Sequence, residues 1–380
     1  MSIYLDNAAT TKVRQEVVEA MMPYLTEQYY NPSSLYSSAT KIKEDVERAR
    51  KIVGNFIKAS GDEIYFTSSG SESNCWAISG FCHYWNALRV RPVVITSTIE
   101  HKSILECVKN MIADVYYVDV DKNGLIKLDT LSEILNDVSL LGLPLLCSFQ
   151  LANNEIGTLQ NIGKISKMLL RCGGVLHVDA VQAFGQIPID VDEMGIDMLS
   201  VSGHKIGCPK GIGVLYIRKG TTISPMIYGS QMNGKRGGTE NVPYIMGMSN
   251  AVELCDISED KIREMYGKSD YLIDCLEHKF GCKLNGHPSQ RLPNNINVTF
   301  PQNITGEALL YTLDMCNIQI GIGSACNSQS IQPSYVLKEI GLTDEQAMKT
   351  IRITISDDIT YEQIDEVIDE IDKAIKLIEI

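Results

Sequence analysis

Six short apolar runs, at residues 64–66, 93–95, 145–147, 175–178, 198–201 and 214–217, limit the fold of this chain more than any other feature. A strand that is apolar at every position, rather than at alternate ones, has both of its faces covered. Several of the runs are separated by stretches long enough for a helix. One helix is legible directly: Ile42, Val46, Ala49, Val53 and Phe56 recur at helical spacing with Lys, Glu and Arg between them. The pattern predicts an α/β architecture, a mostly parallel central sheet with helices packed on each face. A last helix follows from Ile364, Ile368, Ile371, Ile375 and Ile378, started by a capping box of Thr360 and Gln363. A chain of 380 residues suggests two or three domains. The boundary is expected near residue 250.

Charge and composition narrow the partners. With 47 acidic against 34 basic residues the net charge is −13, which disfavours the clustered Lys and Arg that a nucleic-acid partner requires. The longest apolar stretch, 138–149, is broken by Ser and Pro and is shorter than the roughly 18–20 residues that cross a bilayer. The N-terminus carries neither the basic stretch nor the apolar run of a secretory signal. A cytoplasmic protein that meets neither membrane nor nucleic acid is expected. The eleven cysteines include no C-x-x-C pair, so most should be reduced, buried thiols, with no zinc site.

In such sheets ligands gather at the carboxyl ends of the strands, which makes the residues after each run the ones to examine. Ser202-Gly203-His204-Lys205 follows one run. A partly desolvated lysine loses basicity and can condense with an aldehyde as a Schiff base, although an isolated lysine is more often a surface residue. Asp179 ends the run at 175–178, with Gln182 three residues on. A carboxylate there could keep a pyridinium nitrogen protonated while Gln182 donates to a ring oxygen; it could equally cap a helix. Thr67-Ser68-Ser69-Gly70-Ser71-Glu72 leads from a strand into a helical stretch, an anion site suited to a cofactor phosphate, or, for Ser71 alone, a plain N-cap. Neither a P-loop nor G-x-G-x-x-G is present.

In combination these signals are specific. The chain resembles the cysteine desulfurases of the pyridoxal-phosphate fold-type I, class V aminotransferase superfamily. The resemblance runs from Tyr4-Leu5-Asp6-Asn7-Ala8-Ala9-Thr10-Thr11 through Asn31-Pro32-Ser33-Ser34, Glu100-His101, Asn153-Asn154-Glu155-Ile156-Gly157 and Ser202-Gly203-His204-Lys205. It continues in Arg236-Gly237-Gly238-Thr239 and Gly323-Ser324-Ala325-Cys326 to Ile351-Arg352. It implies a large domain over 15–250 that binds pyridoxal 5'-phosphate. Segments 1–14 and 251–380 would form a smaller α+β domain carrying a cysteine loop.

The same resemblance assigns roles. Lys205 would hold the cofactor and move protons, Asp179 would pair with its ring nitrogen, and His101 would stack on the ring and act as a further catalytic group in moving protons. Gly70, Ser71, Ser202 and His204 would hold the phosphate, joined by Thr239 of a neighbouring subunit in a homodimer. Asn154 and Arg352, with Asn7, would bind the substrate carboxylate; without the resemblance, His101 would read as a capping or core histidine and Arg352 as a surface base. Cys326, in a small-residue segment suited to a mobile loop, would take sulfur from L-cysteine as a persulfide, leaving L-alanine. An iron–sulfur scaffold or another sulfur-carrying protein would accept it. A selenocysteine lyase or another class V enzyme would share Lys205 and Asp179 without needing that nucleophile, and a non-catalytic α/β binding protein would need none of these groups. Four positions depart from the family pattern: Cys75 where Asn is usual, Tyr36 where His is common, Cys208 where Gly is usual, and Ser356-Asp357-Asp358 in place of a Gly-containing turn. A positive φ at Cys208 would strain it, and its thiol could otherwise lie close to the cofactor.

Overall fold

The computed structural model describes residues 2–323 and 332–378. In chain order the first elements are β1 (Ile3–Leu5), α1 (Gln15–Thr26), α2 (Ser37–Phe56), β2 (Ile64–Thr67), α3 (Gly70–Ala87), β3 (Val93–Ser97), α4 (Lys102–Lys109), β4 (Asp114–Val118), α5 (Leu128–Ser139), β5 (Leu145–Gln150), α6 (Ile162–Leu170), β6 (Val175–Asp179), β7 (Met198–Ser202) and β8 (Gly213–Ile217). Then come α7 (Val242–Glu253), α8 (Glu259–Phe280), β9 (Lys283–Leu284), β10 (Asn295–Thr299), α9 (Gly306–Met315), β11 (Ile318–Ile320), α10 (Tyr335–Glu339), α11 (Asp344–Met348), β12 (Thr350–Thr354) and α12 (Tyr361–Ile378).

All six apolar runs are strands of one seven-stranded sheet in the order β2-β8-β7-β6-β5-β3-β4. The pairs from β7 through β6, β5 and β3 to β4 are parallel, and β8 runs antiparallel to both β7 and β2. Every residue of β3, β5, β7 and β8 is buried, as strands covered on both faces require. The edge strand β4 escapes the sequence pattern for a physical reason. Tyr116 and Tyr117 are exposed at the rim, and tyrosine is as common at a wet edge as in a core, so the residues do not declare a strand covered on both faces.

A second, smaller layer holds the antiparallel sheet β12-β10-β9 and the parallel pair β1-β11. The amphipathic face of α12, Ile364, Val367, Ile368, Ile371 and Ile375, closes over it, each buried Ile contributing about 1.5–3 kcal/mol relative to exposure. Its capping box forms: Thr360 N donates to Gln363 Oε1 at 3.0 Å and Gln363 N to Thr360 Oγ1 at 3.2 Å. The described residues thus form two apolar cores, one around the large sheet and one around these shorter strands. Residue 250 lies inside α7, whose Ile245, Met248, Ala251 and Val252 belong to the first core. The chain passes to the second core only at α8. Leu292, Val336, Leu337 and Ile340, although late in the sequence, pack back into the first.

Candidate active site

Strand ends of the large sheet converge on a cavity of about 380 Å³. β6 delivers Asp179 to it, β7 delivers Ser202, and the short 3-10 turn after β7 carries His204 and Lys205. The turn after β2 brings in Ser69, Gly70 and Ser71 at the start of α3, and the connection after β3 brings in His101. Arg352 reaches the same space from β12 of the second layer. Asn154 and Gln182 complete the set of predicted residues lining it.

The acid at the centre is Asp179, fully enclosed. Its Oδ1 accepts from Val181 N at 2.9 Å and its Oδ2 from Asn74 Nδ2 at 2.8 Å. No helix follows Asp179, so it caps a turn rather than a helix: one oxygen holds the backbone after β6 while the group borders the cavity. Burial raises its pKa, against those two hydrogen bonds and the charges of His101 and Lys205. A carboxylate desolvated in this way is stabilised by a cationic partner in the cavity.

Lys205 donates through Nζ to the carbonyl of Ala8 and, at 2.8 Å, to that of Ala9. Burial first, and the charge of Arg352 second, bring its pKa down to about 8. A lysine so placed is partly neutral near physiological pH, the condition for a nucleophilic amine. His101 caps α4, its Nδ1 accepting from Ser103 N at 3.1 Å, and it presents an exposed ring to the cavity. Desolvation holds it below its ordinary value, with Asp179 opposing and Lys205 and Lys102 assisting. His204 is lowered to about 4, by burial and then by Lys205. Neutral, with Nδ1 bonded to Thr10 Oγ1 at 3.1 Å, it keeps Nε2 for a further partner.

The start of α3 is built to receive an anion. Ser69, rather than Ser71, is the N-cap, its hydroxyl accepting from Glu72 N at 3.1 Å, which leaves the first-turn amides of Gly70 and Ser71 directed outward. A Cβ on Gly70 would lie 2.6 Å from Val181 Cγ2 and 3.2 Å from Ser202 Cβ. Only glycine lets this helix start approach the ends of β6 and β7 so closely. Glu72 is anchored in turn by Arg236, Nε to Oε1 at 3.0 Å.

Arg352 is buried on its strand rather than on the surface. It donates through Nη1 to Asn154 O at 3.0 Å and through Nη2 to Asp6 Oδ1 at 2.6 Å. Among the described residues its buried Nε has no partner. Asn154 Oδ1 accepts from Gln150 Nε2 at 3.2 Å, and Gln182 Nε2 donates to Ala8 O at 3.1 Å. The pieces fit pyridoxal 5'-phosphate: a helix start that only glycine lets close on the strand ends, a buried carboxylate short of a cation, a lysine of lowered basicity, and an orphaned guanidinium N–H.

One expected residue is not brought to the cavity. Asn7 turns its amide to Thr354 O at 2.8 Å and borders an adjoining cleft of about 490 Å³ that shares Gln182 and Lys205 with the site. Thr239 is exposed and lies outside the cavity of its own chain. Cys326 lies outside the described residues. Tyr36 is also outside the cavity, exposed and packed edge-on against Tyr30. At Cys208 the anticipated strain is absent, because the positive φ of +83° falls on Gly207. The Cys208 thiol is fully buried under Gly203 and pushed up to about 12 by that burial. Ser356-Asp357-Asp358 lines the adjoining cleft, with Asp357 paired to Arg14 at 3.4 Å.

Sequence reasoning missed Asn74, Ser103, Gln150 and Asp6. Asn74 had a usable signal, being one helical turn beyond Gly70 and so on the same face. Glu100, quoted only as part of a motif, proves to be a buried acid: its Oε1 accepts from Ser97 Oγ at 2.5 Å and its Oε2 from Gln150 N at 2.7 Å. Burial, then the charge of Asp179, push it up to about 8. The folded chain therefore keeps a proton on Glu100 that the unfolded chain releases above about 4.5. This contribution to stability is complete below that pH and is lost as pH rises through about 8. Glu100→Gln can keep an oxygen on Gln150 N and turn its N–H₂ to Ser97 Oγ, whose hydroxyl rotates to accept it. Its thermal midpoint should fall less between pH 6 and 8 than that of the parent, with a stability gain of a few kcal/mol at the upper end. Equal slopes would contradict this assignment.

Residues 3–367 match the family model described as Aminotransferase class-V. The protein named cysteine desulfurase IscS from Methanosarcina thermophila is 42% identical over 380 residues, covering 99% of this chain and 92% of that one. A solved structure described as a NifS-like protein superposes with a TM-score of 0.90 at 32% identity, covering 99% of this chain and 100% of that one. Another, described as SspA in complex with cysteine, gives a TM-score of 0.80 at 34% identity over 93% of this chain and 99% of its own.

Proposed function

The chain belongs to the class-V aminotransferase family, and from that premise we propose that it is a cysteine desulfurase: a pyridoxal 5'-phosphate enzyme that converts L-cysteine to L-alanine and passes the sulfur on as a persulfide. The observation that carries this reading is the meeting of Lys205, Asp179 and the Gly70–Ser71 helix start in one cavity. Bound there, the cofactor supplies the electron sink that weakens bonds at the α and β carbons of an amino acid.

The remaining work falls to the protein. Gly70 and Ser71 N–H groups, the Ser202 hydroxyl and His204 Nε2 hold the phosphate. His101 covers the ring, Asp179 holds a proton at the ring nitrogen, and Gln182 flanks it. Lys205 anchors the cofactor and, once released, takes the proton from the substrate Cα. Arg352 and Asn154 take the substrate carboxylate, the guanidinium offering the Nε donor that has no other partner among the described residues. Asn7 supports the same end by fixing the segment that carries Ala8 and Ala9. L-Cysteine as substrate is supported by the names of the relatives and by the cysteine held in one of their structures.

Cys326 is proposed as the nucleophile. Its sulfur forms a bond to the substrate sulfur as the Cβ–S bond breaks, so that L-cysteine and a thiol become L-alanine and a persulfide, with no external oxidant. An iron–sulfur scaffold or another sulfur-carrying protein then accepts the persulfide sulfur. The proposed active unit is a homodimer, in which the exposed Thr239, on the segment anchored by Arg236 to Glu72, reaches the phosphate of the neighbouring site. The ten described cysteines are all free thiols, which fits a reducing compartment such as the cytoplasm. Among the described residues no helix is long and apolar enough to cross a membrane.

The test is Cys326→Ala. Alanine formation from L-cysteine should fall by at least about 100-fold, and mass spectrometry should find a persulfide on Cys326 of the parent protein alone. Unchanged alanine formation in the variant would replace this reading with that of a selenocysteine lyase or another class V enzyme.

A further inference from the structure

One pair of thiols has no part in the scheme above. Cys75 lies on α3 and Cys107 on α4, and the two side chains reach across the contact between these helices. Cys75 Sγ lies 3.7 Å from the carbonyl oxygen of Ser103, one turn before Cys107, and Cys107 Sγ lies 3.9 Å from the carbonyl oxygen of Cys75. Each thiol thus lies against the backbone of the other helix, and the two share one gap between α3 and α4. Cys75 is partly exposed, whereas Cys107 is buried. The neighbouring Cys107 brings Cys75 down to about 7, and Cys75, with burial, pushes Cys107 up. Elsewhere burial works the other way, raising Cys82, Cys208 and Cys282 to about 12. A partly exposed thiol of lowered pKa thus has a buried thiol behind it, the arrangement of an attacking and a resolving cysteine.

We propose that Cys75 and Cys107 form a hydroperoxide-reactive dithiol site that closes to a disulfide between α3 and α4. The Cys75 thiolate attacks the peroxide: an S–O bond forms, the O–O bond breaks, and hydroxide leaves and is protonated to water. Cys107 sulfur then attacks the sulfenic sulfur; the S–S bond forms, the S–O bond breaks, and the Cys107 proton leaves with the oxygen as water. Two thiols and one hydrogen peroxide give one disulfide and two waters, the two electrons passing from sulfur to oxygen. The cross-link has a local consequence. Asn74, adjacent to Cys75, donates to both Asp179 Oδ2 at 2.8 Å and Ser103 Oγ at 3.0 Å, so the bridge fixes the junction on which the cavity acid rests.

The holoenzyme is treated at pH 7 with one to two equivalents of hydrogen peroxide, denatured in N-ethylmaleimide and digested without reductant. The expected product is a linked pair of peptides containing Cys75 and Cys107, two hydrogens lighter than their sum. In Cys107→Ala the link should disappear, dimedone should trap Cys75 as a sulfenic acid, and iodoacetamide should label Cys75 about tenfold more slowly at pH 7 because the neighbouring thiol that lowers its pKa is gone. Recovery of both cysteines as maleimide adducts while Cys326 or Cys316 is oxidised would overturn the proposal, as would a link from Cys75 to any other cysteine. The readout does not use alanine formation, so its failure and a failure of the desulfurase reading are separate results.

Discussion

Replacing Lys205 with alanine is expected to lower alanine formation from L-cysteine by about 10³-fold or more, because one amine serves as both cofactor anchor and proton acceptor. The fold should survive. The side chain contributes two hydrogen bonds, to the carbonyls of Ala8 and Ala9, and both carbonyls border a cavity that water can enter, so far-ultraviolet circular dichroism should be unchanged. Lys205→Arg separates chemistry from charge. Arginine restores a cation that can still donate to those carbonyls, but its guanidinium stays protonated at any accessible pH. It should be as inactive as the alanine variant. The parent should take up the cofactor aldehyde faster as pH rises toward about 8, where Lys205 loses its proton, and level off above it. Activity within tenfold of the parent in Lys205→Arg would show that the residue acts through its charge alone.

Asp179→Asn carries the second large effect, a fall in kcat of about 10²–10⁴-fold. The amide is isosteric, and the site is equipped to accept it. The asparagine Oδ1 can keep the bond from Val181 N, and Asn74 can turn its Oδ1, which is buried and unpartnered among the described residues, toward the new N–H₂. What is lost is the negative charge, and with it the means of holding a proton at the ring nitrogen. The absorption spectrum of the bound cofactor should change with pH in the variant across a range where the parent's is constant. A variant with normal kcat and the parent's spectrum would remove Asp179 from the chemistry and leave it as the cap of the turn after β6.

These two residues were legible in the sequence for the reason that makes the sheet legible. Strands buried on both faces are written as unbroken apolar runs, so a polar residue at the end of one, such as Asp179 or Ser202, stands out against its background. The same logic fails wherever burial is one-sided. β4 is a rim strand, and Ile318–Ile320 is too short a stretch to declare itself. The glycine signal was read one residue late: Cys208 drew attention, but the backbone makes its positive-φ turn at Gly207. Contacts made by the fold alone left no trace. The ion pair of Asp6 with Arg352 joins residues 346 apart, and no local pattern announces that the expected carboxylate-binding arginine already holds a carboxylate. Glu100 enters the sequence only as part of a motif with His101, and nothing local announces that the chain buries it against Ser97 and the end of β5.

The most direct measurement of the central assignment is to load the protein with pyridoxal 5'-phosphate, reduce it with borohydride, digest it, and locate the pyridoxyl group by mass spectrometry. The account predicts one modified position, Lys205, and no labelling of Lys102, which sits beside His101 at the start of α4. A stable pyridoxyl adduct on Lys102 or any other lysine, with Lys205 unmodified, would contradict it.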